Sequence, residues 1–238
     1  VDNMQCDENL VLQLQEGSIP QTVRVYGWKP FAISLGYHQQ REDIDEKKCA
    51  ERGIDIVRRT TGGRAILHAD EVTYSVVMFA EGKSLSELYH HINMALVHGL
   101  TSLGAHIELA ATQPNFSLLY KQRTSIPCFT SSARYEIQSN GKKLVGSAQR
   151  RFAEQGKPEI ILQHGSILLD STHRLLNECI RTDDAALIET LQHEMEEKTT
   201  DLSTILQRNV NFDEIVTAVR NGFEKQWNIS FQETAVMQ

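Results

Sequence analysis

A single strongly marked helix interrupts a strand-rich chain of 238 residues. Ser84 and Glu87 have the spacing of a capping box, and Gly104 is placed to end the helix. Between them, apolar residues recur at helical spacing: Leu85, Leu88, Ile92, Ala95, Leu96, Gly99 and Leu103. Strand-like segments lie at residues 22–28, 32–37, 54–59, 64–68, 72–79 and 160–170. This order predicts an α+β fold, with a mixed, largely antiparallel sheet and packed helices.

The remaining chain adds shorter helices and one hairpin. Asn140-Gly141 separates two strand-like runs and predicts a tight β-hairpin. Segments 22–28 and 32–37 are expected to pair. Further helices are predicted at residues 3–16, 44–52 (capped by Asp43 and Glu46), 171–180, 184–197 and 212–227. We therefore predict one catalytic domain over residues 1–238, in which 171–238 is a helical C-terminal part and not a separate accessory domain.

Composition narrows the functional classes. The four cysteines are scattered without CxxC spacing, which predicts no metal site, no disulfides and a cytoplasmic location. No apolar run approaches the roughly 18 residues of a membrane helix, and no signal peptide is evident at the start. The net charge of −7 and the pI near 5.7 argue against nucleic-acid binding. We expect a monomer, and the initial Val indicates that part of the native start is missing.

A glycine-rich loop between two strands is the first candidate site. The stretch RRTTGGRAILH (58–68) places Gly62 and Gly63 where the backbone can approach a ligand closely. Exposed N–H groups in such a loop can hold a phosphate or a carbonyl oxygen. The other candidates here are Arg58, Arg59, Thr61, Arg64 and His68. The alternative is a tight turn with exposed arginines.

Two later strands supply the other candidates. In KKLVGSAQRR (142–151), alternation of strand side chains turns one of the two lysines inward. The small residues that follow leave room for a ligand chain beside the strand: Gly146, Ser147 and Ala148. In QHGSILL (163–169), polar side chains lie either at a pocket floor or in an ordinary strand: Gln163, His164 and Ser166.

Three motifs in this order resemble the biotin/lipoate protein ligase family: RRTTGGRAILHADEVTYSVV, GKKLVGSAQRR and ILQHGSILLD. YGWKPFAISLGYHQ is also similar to the opening strands of that family, so the resemblance covers about residues 4–170. It implies a fold like that of biotin protein ligases and class II synthetases. It further implies attachment of an octanoyl or lipoyl group to a lysine of a lipoyl-bearing protein, with the Arg-Gly loop and Lys143 holding the acyl group.

The details are similar to the cysteine-dependent octanoyltransferases of the family. These carry GGR followed by LH, and a Cys-Phe pair before the lysine hairpin that Cys128-Phe129 matches. The opening NMQCDE departs from the usual small-residue Met-x-x-Asp-Glu, and Cys6 is interpreted as a packing residue. The resemblance implies Cys128 and Lys143 as catalytic residues. It implies substrate contacts from Arg58, Arg59, Thr61, Gly62, Gly63, His68, Gly146, Ser147, Ala148 and His164.

The resemblance also implies the partners. The octanoyl donor would be octanoyl-acyl carrier protein, and the acceptor a lipoyl-domain protein such as glycine-cleavage H protein or dehydrogenase E2. No cofactor is expected. Residues 121–151 hold seven Lys and Arg residues and one acid, so this basic region would attract acidic partners or form an ordinary solvated hairpin.

Two other functions stay open. The first is an ATP-dependent lipoate-protein ligase, which would use ATP and Mg²⁺, although such ligases usually carry GGG in the loop. The second is a carrier-binding or lipoyl-sensing protein without turnover.

Overall fold

The computed structural model describes residues 2–110 and 135–233, so Cys128 and Phe129 lie outside the described residues. The helices are α1 (Asp2–Gln15), α2 (Glu46–Glu51), α3 (Leu85–Thr101), α4 (Ala185–Lys198), α5 (Leu202–Leu206) and α6 (Phe212–Trp227). Segments Arg41–Asp43 and Ser171–Cys179 are 3₁₀-helical. The strands are β1 (Thr22–Tyr26), β2 (Ala32–Leu35), β3 (Asp55–Arg58), β4 (Ile66–His68), β5 (Glu71–Phe79), β6 (Glu108–Leu109), β7 (Ile137–Ser139), β8 (Lys142–Lys143), β9 (Val145–Phe152) and β10 (Ile160–Leu168).

The central sheet is antiparallel and has the order β1-β5-β10-β9. A second sheet has the order β3-β2-β4, in which β2 runs parallel to β3 and antiparallel to β4. A third has the order β6-β7-β8. The expected α+β class with a mixed, largely antiparallel sheet is therefore confirmed.

Each face of the central sheet packs against helices, because successive side chains of a strand point to opposite sides. Tyr74 and Val76 of β5 belong to the large core that also contains residues of α3 and α6. Val77 of β5 and Leu162 of β10 belong to a smaller cluster with α1. The helices α3 and α6 approach backbone to backbone, since a Cβ on Gly222 would lie 2.3 Å from the Ala95 carbonyl oxygen.

The locally encoded elements are confirmed. Ser84 and Glu87 form the capping box of α3, and Gly104 has a φ of +90° just after that helix. Asn140 and Gly141 both have positive φ and connect β7 to β8. These features depend on residues close in sequence, which explains why the pattern predicts them.

Three expectations about neighbouring segments are wrong. Segments 22–28 and 32–37 do not pair, because β1 joins β5 of the central sheet and β2 joins β3 and β4. Asp43 does not cap the second helix; Asp45 does, by accepting hydrogen bonds from the amides of residues 47 and 48. Segment 171–180 forms a 3₁₀ run instead of an α-helix. Within the two described stretches of chain, no helix has both the length and the apolar character required to cross a bilayer.

Candidate active site

The three motifs meet around one small cavity of about 20 Å³. The glycine loop and β4 contribute one wall, β9 and β10 another, and α1 and β1 close it. The lining residues are Met4, Tyr26, Ser34, Arg59, Ile66, His68, Thr73, Gly146, Ala148, His164, Gly165 and Ser166. Six residues singled out from the sequence thus come together: Arg59, His68, Gly146, Ala148, His164 and Ser166.

His164 connects the glycine loop to helix α1. Its Nδ1 lies 3.1 Å from Asp7 Oδ2, and its Nε2 lies 2.6 Å from Thr61 Oγ1. An ionised carboxylate only accepts hydrogen bonds, so Nδ1–H donates to Asp7 and Nε2 accepts from the Thr61 hydroxyl. These two hydrogen bonds fix the position of Thr61, which directly precedes Gly62, relative to the sheet.

Asp7 is buried and accepts hydrogen bonds from several elements. Arg24 Nη1 and Ser75 Oγ donate to Oδ1, at 3.2 and 2.8 Å. Tyr26 and His164 both donate to Oδ2, at 3.1 Å each. The carboxylate therefore fixes α1 to β1, β5 and β10 beside the cavity. Burial first, and then the Asp7 charge, raise the pKa of the Tyr26 phenol.

His68 forms a second chain on the same side of the sheet. Its Nε2 lies 2.8 Å from Ser34 Oγ, and its Nδ1 lies 3.3 Å from Glu71 Oε1 and 3.1 Å from Ser166 Oγ. The Trp28 indole stacks on the imidazole with 4.3 Å between ring centroids. Burial lowers the pKa of His68, so this imidazole stays neutral at physiological pH.

The two loop arginines bind backbone carbonyls. Arg58 Nη1 donates to the carbonyl oxygens of residues 36, 37 and 39. Arg59 is buried and donates to the carbonyl oxygens of Ser34, Gly62 and Arg64. Arg59 therefore holds the glycine loop in shape and lines the cavity, whereas Arg58 fixes the start of the loop to residues 36–39.

A close approach of two glycines fixes the loop against β2. A Cβ on Gly36 would lie 1.9 Å from the Gly63 carbonyl oxygen, and Gly63 itself has a φ of +91°. Gly62 differs, because a Cβ there meets nothing within 4 Å. Only glycine therefore fits at position 36, whereas position 62 has open space beside it.

Lys143 is the inward lysine of the hairpin. Its side chain is buried, and Nζ lies 2.6 Å from Oε1 of the buried Glu136. The neighbouring Lys142 points the other way and donates to the Glu196 carbonyl oxygen at 2.9 Å. Lys143 and Ser147 are not among the residues that line the cavity. Ser147 Oγ instead hydrogen-bonds Tyr74 at 2.7 Å.

Two of the described cysteines, Cys49 and Cys179, are poor nucleophile candidates. Burial raises the pKa of Cys49 to about 12, and burial also raises the pKa of Cys179. A high pKa suppresses the reactive thiolate. Cys6 is partly exposed, and Cys128 lies outside the described residues. Over residues 2–110 and 135–233, no group of His, Cys, Asp and Glu side chains is placed to hold a metal ion.

Three site residues were missed in the sequence: Asp7, Ser34 and Glu71. Asp7 had a signal, because it belongs to the Met-x-x-Asp-Glu opening, but that opening assigned it no partner. Ser34 lies in an ordinary strand-like run and Glu71 lies between two such runs, and only the pairing of β2 with β4 brings Ser34 to His68.

In sequence, the chain is similar to a described protein family and to individual known proteins. The family model described as lipoyl protein ligase A/B catalytic domain matches residues 1–224. "Octanoyltransferase LipM" of Geobacillus kaustophilus is 38% identical over 95% of this chain and 82% of its own length. The protein of the same description from Moorella thermoacetica is 37% identical over 96% of this chain and 83% of its own.

Solved structures show the same fold at lower identity. Lipoate-protein ligase A bound with ATP superimposes with a TM-score of 0.75 at 22% identity, over 99% of this chain and 83% of the other. The bi-partite lipoate protein ligase from Thermoplasma acidophilum gives 0.74 at 20% identity, over 99% and 82%.

Proposed function

Because the chain belongs to the lipoyl protein ligase A/B catalytic-domain family, we propose that it is an octanoyltransferase of protein lipoylation. One observation carries the proposal. The three motifs that resemble the biotin/lipoate protein ligase family, far apart in sequence, each contribute residues to the lining of a single cavity. The relatives of 37 and 38% identity described as octanoyltransferases support the same activity.

The first step is a thioester exchange. The Cys128 thiolate attacks the carbonyl carbon of octanoyl-acyl carrier protein and forms a new C–S bond. The old C–S bond breaks, and the carrier thiolate leaves. It takes up the proton that the Cys128 thiol lost when it became the thiolate. One thioester replaces another, so ATP is not needed. Lys143 lowers the pKa of the thiol or holds the acyl carbonyl, and its ion pair with Glu136 fixes its position.

The second step forms the amide. The amine of an acceptor lysine on a lipoyl-domain protein attacks the Cys128 thioester, and the Cys128 thiolate leaves. The ammonium form of that lysine has a reference pKa of about 10.4 and must lose a proton before its nitrogen can attack. His68 and His164 both line the cavity and are the candidate groups to accept that proton. The N–H groups of Gly62 and Gly63 would stabilise the oxyanion.

The acyl chain would enter the cavity beside Gly146 and Ala148. At about 20 Å³ the cavity is much smaller than the roughly 300–1,000 Å³ of typical ligand sites, so lining side chains have to move. Met4 is the lining residue best suited to this, because its unbranched side chain adopts several shapes at little strain.

Intact-protein mass spectrometry after mixing with octanoyl-acyl carrier protein, without ATP, tests the proposal. The wild type should gain one octanoyl group and lose it when a lipoyl domain is added. Cys128→Ala should gain none, and the matched control Cys6→Ala should behave as the wild type. A wild type that modifies the lipoyl domain only with lipoate and ATP would instead be a lipoate ligase.

A further inference from the structure

A groove between the 3₁₀ segment Ser171–Cys179 and helix α4 has no part in the chemistry above. It encloses about 480 Å³, within the range of roughly 300–1,000 Å³ for small-molecule sites. Its lining residues are Ser171, Thr172, Arg174, Leu175, Asn177, Glu178, Gln192 and Glu196.

Asn177 is the unusual residue of this groove. Only 1% of its surface is exposed, yet neither the amide nitrogen nor the amide oxygen has a hydrogen-bond partner in the described structure. Buried polar side chains almost always have partners, and an unmet donor and acceptor are unfavourable. A bound group that offers both a C=O and an N–H would satisfy the pair.

Arg174 is a cation of the groove that is available to an anion near the same place. Arg174 makes no ion pair or hydrogen bond within the described residues, and its buried Nε is also without a partner. Glu178 is neutralised by Arg52, whose Nη2 lies 2.5 Å from Oε2. Glu196 is the remaining acid of the lining. The cationic Lys142 donates to the backbone carbonyl oxygen of Glu196, not to its carboxylate.

The groove also adjoins the hairpin that carries Lys143. Thr199, directly after α4, pairs with Lys143 in an isolated β-bridge. His173 of the 3₁₀ segment hydrogen-bonds Thr199 Oγ1 at 2.9 Å. Both walls of the groove are therefore fixed to the strand that holds Lys143.

We propose that this groove binds the 4′-phosphopantetheine arm of the acyl donor, an inference that rests on the proposed function. The arm has amides for Asn177, a phosphodiester for Arg174 and a gem-dimethyl group for the exposed Leu175. No other ligand of the proposed reaction combines an amide with a phosphate.

Three octanoyl thioesters separate the contribution of Asn177 from that of Arg174. They are the thioesters of 4′-phosphopantetheine, of pantetheine and of 2-mercaptoethanol, the last of which has neither amide nor phosphate. Asn177→Leu should lower kcat/KM for acylation about tenfold with the first two and leave the third unchanged. Arg174→Gln should lower kcat/KM about tenfold with the first alone. The control Arg181→Gln, an exposed arginine outside the groove, should change none.

Thermal unfolding excludes a merely structural role for Asn177. Since its amide has no partner, Asn177→Leu should leave Tm unchanged or raise it. Calorimetric titration with non-acylated 4′-phosphopantetheine measures binding to the groove in the absence of any reaction. The wild type should bind it, and both variants should bind about tenfold more weakly.

The outcomes separate the two proposals. A wild type that binds the arm but is acylated by no thioester would overturn the proposed function and leave the groove standing. If the variants slow acylation by all three thioesters equally, or by none of them, the proposal that the groove binds the arm is wrong. An increased KM for the lipoyl domain alone would assign the groove to the acceptor and also overturn the inference.

Discussion

The two faces of the central sheet bury polar groups in different ways. The histidine face, toward α1, holds His164 and His68, each between a hydroxyl group and a carboxylate. The lysine face, toward α3, has the Lys143–Glu136 ion pair beside it in a largely apolar core. The Glu136 charge, second only to burial, raises the pKa of Tyr89 on α3.

This difference shows how each face keeps its charges inside the protein. On the histidine face, one carboxylate is shared among several donors, so the charge is spread over a network. On the lysine face, the Lys143 ammonium and the Glu136 carboxylate face each other directly, with 2.6 Å between Nζ and Oε1. We therefore expect single substitutions to be most harmful on the lysine face, and paired substitutions to recover stability there.

The largest effect is expected for Lys143→Met. It leaves the buried Glu136 carboxylate without its cation, which should lower the free energy of unfolding by about 3–5 kcal/mol in urea denaturation at pH 7. Adding Glu136→Leu should restore most of the loss, because an apolar pair can replace a buried ion pair at little cost. The control Lys142→Met should change stability by less than about 0.5 kcal/mol. An equal loss of stability in Lys143→Met and Lys142→Met would contradict the assignment of Lys143 as the buried partner of Glu136.

Asp7→Asn tests the network of the histidine face. Asparagine has one acceptor oxygen in place of two, so Arg24, Tyr26, Ser75 and His164 cannot all keep their partners. The free energy of unfolding should fall by about 1.5–3 kcal/mol in the same assay.

The same substitution should also lower kcat of octanoyl transfer more than it changes KM, because His164 no longer positions Thr61. Glu8→Gln, at the next position of α1, is the control and should be near neutral. An Asp7→Asn variant with normal kcat would show that the loop is placed without this chain.

Gly36→Ala compares two glycines that lie near the same loop. Its Cβ would overlap the Gly63 carbonyl oxygen, so we expect a loss of about 1–3 kcal/mol, measured as a lower urea midpoint. Gly62→Ala has open space and should keep its stability. If Gly62→Ala unfolds as readily as Gly36→Ala, steric overlap is not the cause.

His68 contributes an acid sensitivity that builds up gradually as the pH falls. Its folded pKa is lowered by burial, whereas the unfolded value is about 6.5. Below that pH the unfolded chain binds a proton that the folded protein does not. This should reduce stability by about 1.4 kcal/mol per pH unit until the folded pKa is reached.

Urea denaturation between pH 4.5 and 7.5 measures this slope. Below pH 6.5, the stability of His68→Gln should change less steeply with pH than that of the wild type. Above pH 6.5, its slope should equal that of the control His193→Gln. An unchanged slope would mean that His68 is not kept neutral by the fold.

Local sequence signals account for much of the fold. The cap at Ser84, the turn at Asn140-Gly141 and the helix Phe212–Trp227 depend on residues within a few positions of each other. Strand pairing does not, and the expected partnership of 22–28 with 32–37 was wrong for that reason. Hydrophobicity shows that a segment is a strand, but not which other strand it joins.

The site divides in the same way. Motif positions indicated His68, His164 and Lys143, because unusual residues stand in recognisable spacing. Their partners Asp7, Glu71 and Glu136 were not assigned, since a buried carboxylate has no local sequence signature that distinguishes it from an exposed one. The roles of the arginines were also not evident, because a sequence does not show which carbonyl oxygens lie nearby.

The sequence by itself determined the class of fold, the family and the segments that form the site, because periodicity, turn residues and motifs are local properties of the chain. Only the tertiary structure decided which side chains share a proton or a charge. Helix α1 brings Asp7 to His164 across 157 positions of sequence, and the pairing of strands places each donor beside its acceptor.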